Sequence, residues 1–428
     1  MNRSVYAVLL SGLILRLGLA PFTGHPYDMG SFTTSLRLYY QYGTLDLHYY
    51  PTLPLLYYVQ LVFYAPYDLL RVLGVPDSQF YYHTTLMLEG VFLKLPLILC
   101  DVGIFFVLLR FTGKLFPATL FFLNPFPIYL SAVWGTYDSL MLFPLILGIY
   151  LYGQEKKGVA SVSFVLSGLL KLFDFITFAR IFVETIVRRR FRQETMLGLI
   201  GGLIFSGLVV LPTFFFGGFD VFLNNIVYRF IGAGRASAGG ARWNLFEVLL
   251  NINPSGAFPT IPVIVVAVCI AYIYETRKGL KQETALLKWT LVGAIGFALF
   301  SASEPQWLSW LLPIGILYGY SVERVGLQYF SYVFGVVQTF LTMTLLQNTG
   351  YLLLGSGYVL VGYVENLPYG SLLYASVMTF MVGMLSCYAF VERLRSFRVE
   401  IVPLTVLIYL QAYFWIVIVG VGKFLGVA

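Results

Sequence analysis

The sequence predicts an all-α integral membrane protein: a polytopic bundle of about 11–13 transmembrane helices with a long outer first loop carrying interfacial helices. Three observations lead there. Of 428 residues, 59% are hydrophobic and 11% charged, whereas a soluble domain carries roughly 25% charge. Mean hydropathy is +0.81, held in continuous apolar runs close to the ~20 residues that cross a bilayer; a membrane β-barrel would instead read as ~10-residue alternations. The Lys and Arg residues are divided unequally between successive loops. A cytosolic enzyme, a disordered chain and a coiled coil are excluded by the first observation alone.

The runs fall at 5–21, 88–109, 117–133, 136–153, 196–216, 259–275, 285–302, 305–321, 327–346, 371–391 and 400–421, and 158–188 reads as a hairpin of two helices broken near Lys171. Asn2-Arg3 before the first run resembles a signal peptide. No small-x-small site follows and Arg16 interrupts the run, so it is read as a retained span. The stretch 53–73 is long enough to span, yet holds Pro54, Pro66, Asp68 and several tyrosines. Charge decides its place. With 53–73 outside, the cytoplasmic side receives Arg3, Arg110, Lys114, Lys156, Lys157, Arg188, Arg189, Arg190, Arg192, Arg277, Lys278, Lys281, Arg324, Arg393, Arg395 and Arg398, sixteen in all, against six outside: Arg37, Arg71, Arg229, Arg235, Arg242 and Lys423. With 53–73 as a span the ratio inverts, against the positive-inside rule. The net charge of +7 is therefore assigned to topology, not to nucleic acid. Cys100, Cys269 and Cys387 each lie within an apolar run, so neither a disulfide nor a thiolate metal site is expected.

This arrangement gathers the loop 22–87, the turn Trp134–Asp138, the loop 217–258, the turn Ser303–Trp307 and the segment 347–370 on the outer face. Asp28 lies between span one and an amphipathic stretch from Phe32 to Tyr42, placed to act as a base or to cap that helix. Lys94 and Asp101 are seven residues apart, two helical turns on one face. A charge at the bilayer centre costs ~2.5–3.5 kcal/mol on insertion scales, so both are expected inside the bundle with partners, as a brace or as an intramembrane site. Asp138 is a second outer carboxylate. Lys171 ends a small-residue helix, with Asp174 three residues on as a local partner. Arg229, Arg235 and Arg242 lie among glycines on the face that should be poor in arginine, and suit a phosphate or a lipid headgroup. His25 and His48, with Asp46 near them, match no metal spacing. No cofactor is expected, a divalent cation there being the open alternative.

In order, these pieces resemble a known family: Asp28 after span one; Tyr50-Pro51 before the span with Lys94 and Asp101; Asn124-Pro125 and then Asp138-Ser139; a helix ending in Lys171; and Pro305-Gln306-Trp307 with Trp310. The set is similar to the GT-C superfamily of membrane glycosyltransferases, and within it to the family of the catalytic subunit of glycosylphosphatidylinositol mannosyltransferase I and its archaeal relatives. It covers the chain to about residue 313, each motif weak by itself and only the order specific. Where the eukaryotic enzyme has an Asp-x-Asp pair, this chain reads Tyr27-Asp28-Met29-Gly30, a single carboxylate.

The resemblance implies an inverting transfer of one sugar, mannose by expectation, from a polyprenyl (dolichyl) phosphate to a lipid-linked or glycolipid acceptor on the outer or luminal membrane face. It implies a catalytic transmembrane module over 1–325, with the loops 22–87 and 217–258 forming the site, and added helices over 326–428. Asp28 would be the catalytic base. Tyr50, Asp138, Lys171, Arg229, Arg235, Arg242, Gln306 and Trp307 would bind substrate. Partners would be the donor, the acceptor, membrane lipids and an accessory membrane subunit, with no nucleic acid. The location would be a plasma membrane with the site outward, or an endoplasmic reticulum membrane with the site in the lumen. A flippase for polyprenyl-linked sugars and a secondary transporter are the alternatives, although no internal repeat of the transporter kind is visible.

Overall fold

The computed structural model of the protein describes residues 3–43, 54–77, 88–171, 193–215, 219–220, 223, 260–278, 281–300, 305–345 and 377–386. Among them every regular element is helical. They are α1 (Arg3–Leu19, continued by a 3-10 turn, Ala20–Phe22), α2 (Pro26–Tyr42), α3 (Pro54–Val72), α4 (Leu88–Thr112), α5 (Leu115–Phe122), α6 (Pro125–Ile128, continued by a π-helical turn, Tyr129–Trp134), α7 (Asp138–Gly153) and α8 (Lys157–Leu170). Then come α9 (Gln193–Phe215), α10 (Thr260–Arg277), α11 (Gln282–Phe300), a 3-10 turn (Pro305–Trp310), α12 (Leu311–Ser321), α13 (Val325–Leu345) and α14 (Val377–Ser386). By length and apolarity, Arg3–Phe22 and Leu88–Thr112 are each able to cross a membrane, and the bent pair α5–α6, counted as one span, makes a third.

Three expected boundaries change, each for a local reason. The helix expected from Phe32 begins at Pro26. Proline is pre-set for the first helical position, and the His25 ring Nδ1 caps it by accepting the Asp28 N–H at 3.3 Å. Asp28 is thus in the first turn and is not the cap. The span expected over 117–133 is broken by 47°. Asn124 leaves the helix, its Oδ1 accepts the Phe126 N–H at 2.9 Å, and Pro125, which has no N–H to continue α5, starts α6. The span expected from 305 opens as a 3-10 turn and becomes α-helical only at Leu311.

The helices run up and down between two ends. At one end the turns after α4, α7 and α12 meet. The Tyr320 hydroxyl donates to Thr112 O at 2.7 Å, Lys157 Nζ to Gln282 Oε1 at 3.1 Å, and the Phe111 and Tyr150 rings lie 6.4 Å apart. Arg110, Lys114, Lys156, Lys157, Arg277, Lys278, Lys281 and Arg324 flank these turns. The opposite end carries His25, Asp28, Trp134, Asp138, Lys171 and Trp307. The first end of α3, Leu55 and Tyr58, packs on Val165, Leu169 and Val209 near the Lys171 end of α8. Farther along α3, Tyr64 bonds Glu89 and Tyr67 packs on Phe92, both at the first turns of α4. Both ends of α3 therefore meet the same end of the bundle, so α3 lies across that end rather than through it.

Apolar helices gain little hydrophobic energy from associating within lipid, so close packing and buried polar bonds matter more. Rings sit on glycines: a Cβ added at Gly12 would lie 2.3 Å from the Phe122 ring, and one at Gly148 2.7 Å from Phe164. Arg16 and Asp101, both fully buried, pair through Nε and Oδ2 at 2.9 Å. Arg16 also donates to Gly12 O at 3.2 Å and to Phe122 O at 3.0 Å, at the broken end of α5, and Ser131 Oγ donates to Asp101 Oδ2 at 2.7 Å. Lys94 shares the α4 face of Asp101 but has other partners, Ala20 O at 3.0 Å, Thr23 Oγ1 at 3.1 Å and Thr23 O.

Candidate active site

Asp28 sits in the first turn of α2 at the site end, with its side chain 25% exposed. The Trp134 indole N–H donates to its Oδ2 at 2.6 Å, and His25 Nδ1 lies 3.5 Å from the same oxygen. The His25 ring is stacked on Trp134 with centroids 4.8 Å apart, and the His25 N–H donates to Trp134 O at 2.9 Å. Because Nδ1 accepts the Asp28 N–H, the neutral ring carries its proton on Nε2. This leaves a carboxylate oriented by an indole and 25% exposed, a chemistry that suits proton transfer.

Four residues after Trp134, at the start of α7, is Asp138, fully buried. Its Oδ1 accepts from Lys171 Nζ at 2.5 Å and from the Trp310 indole at 2.9 Å, and its Oδ2 from Thr136 Oγ1 at 2.9 Å. The Lys171 ammonium faces the rings of Tyr137, Trp310 and Trp307 at 4.6, 5.4 and 5.7 Å. Trp307 is stacked on Trp310 at 5.8 Å and is partly exposed, while Gln306 beside it is 6% exposed. Asp138 is therefore a partner of Lys171 from outside its own hairpin; Asp174 lies outside the described residues. This pair can hold the 3-10 turn Pro305–Trp310 against α7 and α8 and present the Trp307 ring.

The turn Trp134–Asp138 is what joins the two centres. Gly135 in the left-handed region, φ 87°, lets it double back, a conformation that glycine adopts without strain. Tyr137 packs edge-on against Phe32 of α2 at 6.5 Å and faces Lys171.

Beside this site is a cluster that the sequence reading passed over. Glu89, fully buried, takes the Arg37 fork: Nε to Oε1 at 2.9 Å and a second contact from Nη2 to Oε2. The Tyr64 hydroxyl donates to Oε1 at 2.6 Å, and Asp77 lies 3.7 Å from Arg37. Burial works against the Arg37 charge, but the bonds and charge of Glu89 outweigh it and raise the guanidinium above its usual value. Burial, then Glu89, raises the Tyr64 hydroxyl as well. The signal was Glu89 at the lip of an apolar run; its partner, 52 residues away, leaves no mark in spacing.

Tyr50, Asp46, His48, Arg229, Arg235 and Arg242 lie outside the described residues. Among the described residues, no three of His, Cys, Asp and Glu are grouped to hold a metal ion. No family model matches the chain, and no curated protein matches it.

Proposed function

We propose that the protein is an inverting glycosyltransferase of GT-C type, with eleven to thirteen spans and its site on the outer or luminal face. It would move a hexose, mannose by expectation, from a polyprenyl phosphate to a lipid or glycolipid acceptor. The observation that carries this reading is the partly open Asp28 carboxylate, held by Trp134 at the end of an apolar span and joined by one short turn to an aromatic-lined Lys171–Asp138 centre.

The chemistry needs one in-line displacement. The acceptor oxygen forms a bond to the anomeric carbon as the bond from that carbon to the phosphate oxygen breaks. The hydroxyl proton goes to Asp28, and the electron pair leaves with the polyprenyl phosphate. Cationic groups at that departing anion stabilise it. Lys171 is already paired with Asp138, so this role falls to Arg229, Arg235 and Arg242 of the loop 217–258. The exposed face of Trp307 would carry a sugar ring. Lys94 is bonded to Ala20 and Thr23, and Asp101 to Arg16 and Ser131, contacts that tie helices together. This weighs against the flippase and transporter alternatives.

The test is release of free polyprenyl phosphate from a mannosyl-polyprenyl phosphate pool by purified protein with candidate lipid acceptors. Asp28→Asn should leave a folded protein whose transfer is ~10²–10⁴ lower. Because His25 is the cap, the substitution removes only a favourable charge in the first turn, worth about 0.3–1 kcal/mol. A fully active Asp28→Asn would sink the assignment of the base.

A further inference from the structure

We propose that Lys94, a fully buried lysine directly beneath the Trp134–Asp138 turn, is a positioning residue that sets the approach of Asp28 to that turn. The part of this inference that concerns catalysis rests on the reading of Asp28 as the base.

Lys94 has three donors, and the structure gives it three acceptors: Ala20 O, Thr23 O and Thr23 Oγ1. All three lie in the segment that links α1 to α2, immediately before His25 and Asp28. Thr23 passes the connection on, since its one hydroxyl proton is shared between Leu19 O at 2.8 Å and Ala132 O at 3.0 Å, the latter in the π-helical turn that ends at Trp134. A second route is steric. A Cβ added at Gly135 would lie 3.3 Å from Lys94 Cε and 2.5 Å from Met29 Sδ. The lysine stem thus runs directly beneath the turn, with Met29, the neighbour of Asp28, beside it. One side chain therefore supports the peptide that carries the carboxylate and the turn that supplies its indole donor. A long stem ending in an amine does this across a gap that Ser or Asn would not span, which explains a lysine in an apolar helix where, among the described residues, no carboxylate is bonded to it.

Hydrogen exchange by mass spectrometry on the full chain in detergent reads the positioning without reference to activity. The His25 N–H bonded to Trp134 O and the Gly135 N–H bonded to Leu130 O are the reporters. Lys94→Met keeps the stem and removes the donors. It should speed exchange of both reporters about tenfold or more while leaving the 154–156 turn at the other end unchanged. Transfer should show kcat reduced about 10- to 100-fold with donor KM within about twofold, as expected when a base is misplaced. Thr23→Val is the milder variant if Lys94→Met does not fold. It should give the same pattern in smaller measure, and add nothing when combined with Lys94→Met. Unchanged exchange at His25 and Gly135 in the folded variants would overturn the proposal, as would faster exchange with kcat at the wild-type value. Full activity of Asp28→Asn instead removes the base and leaves the exchange data to decide the placement of Lys94.

Discussion

Trp134 donates its indole N–H to Asp28 Oδ2 at 2.6 Å across a sequence separation of 106 residues. The indole nitrogen only donates, so the contact favours the ionised carboxylate. His25 stacks on the opposite partner of the same bond and fixes the plane of the indole. The three side chains come from the N-cap of α2, the first turn of α2 and the π-helical turn after α6, and none of them has this role in isolation.

Trp134→Phe keeps a ring to stack on His25 and removes the N–H. A bond to a charged group contributes roughly 1.5–3 kcal/mol, so transfer should fall about ten- to a hundredfold. The thermal midpoint should change little by comparison, because the ring still packs on His25. A Trp134→Phe enzyme with wild-type transfer would detach the indole from the base.

The Arg16–Asp101 pair is a stability feature. Removing one partner of a fully buried pair costs about 3–5 kcal/mol, because the other charge is stranded. Asp101→Asn should therefore lower the thermal midpoint in detergent markedly. Arg16→Met with Asp101→Leu should recover part of the loss but not all of it. Arg16 also serves the Phe122 carbonyl that the break at Asn124 leaves without a helical partner, and an orphaned buried acceptor costs about 1–3 kcal/mol. Full recovery in the double variant would show that the carbonyl contact is immaterial.

Much of this was legible in the sequence, and the limit is physical. Apolar runs gave the helices, because crossing a bilayer demands length and apolarity. The lower hydropathy of 53–73, with Pro54, Pro66 and Asp68, marked it as different from a span. Asp28, Asp138, Lys171 and Trp307 were singled out by carrying polar chemistry at the ends of such runs. Partner identity was not legible. Spacing puts Lys94 and Asp101 on one helical face and Asp174 near Lys171, since one sequence shows only neighbours along the chain. Tertiary packing adds partners distant in sequence: Arg16 for Asp101, Ala20 and Thr23 for Lys94, and Asp138 for Lys171. The break at Asn124-Pro125 was visible as a dipeptide, yet the continuous apolarity across it read as one span.

At the edge of the site, Glu89 ties α2 and α3 to α4 through Arg37 and Tyr64. Tyr64→Phe removes one bond to a charged acceptor and should cost roughly 1.5–3 kcal/mol. Glu89→Gln should cost more, because it leaves a guanidinium 25% exposed with Asp77, at 3.7 Å, as its remaining acid among the described residues. Exchange in α2 should rise in both variants, and more in the second. The reverse order would mean that the tyrosine, not the ion pair, holds α2.

Labelling tests the placement of α3. Tyr42 and Leu73, exposed at 72% and 74%, flank it in sequence. If α3 lies across one end of the bundle, both positions are on the same side of the membrane. If it crosses, they are on opposite sides. Gln154 is exposed in the turn after α7, at the end rich in Lys and Arg. In a background without Cys100, Cys269 and Cys387, Tyr42→Cys and Leu73→Cys should react with a membrane-impermeant maleimide added to sealed, right-side-out vesicles. Gln154→Cys should react only after permeabilisation, because Arg110, Lys114, Lys156, Lys157, Arg277, Lys278, Lys281 and Arg324 flank the turns at its end, and the positive-inside rule puts an end rich in Lys and Arg in the cytoplasm. Reaction of Tyr42→Cys and Leu73→Cys from opposite sides would make α3 a span, and Asp28 and Lys171 would then not share a face. Reaction of all three in the reverse sense would keep the site intact and turn it toward the cytoplasm, where a polyprenyl-phosphate sugar on the outer leaflet would not reach it.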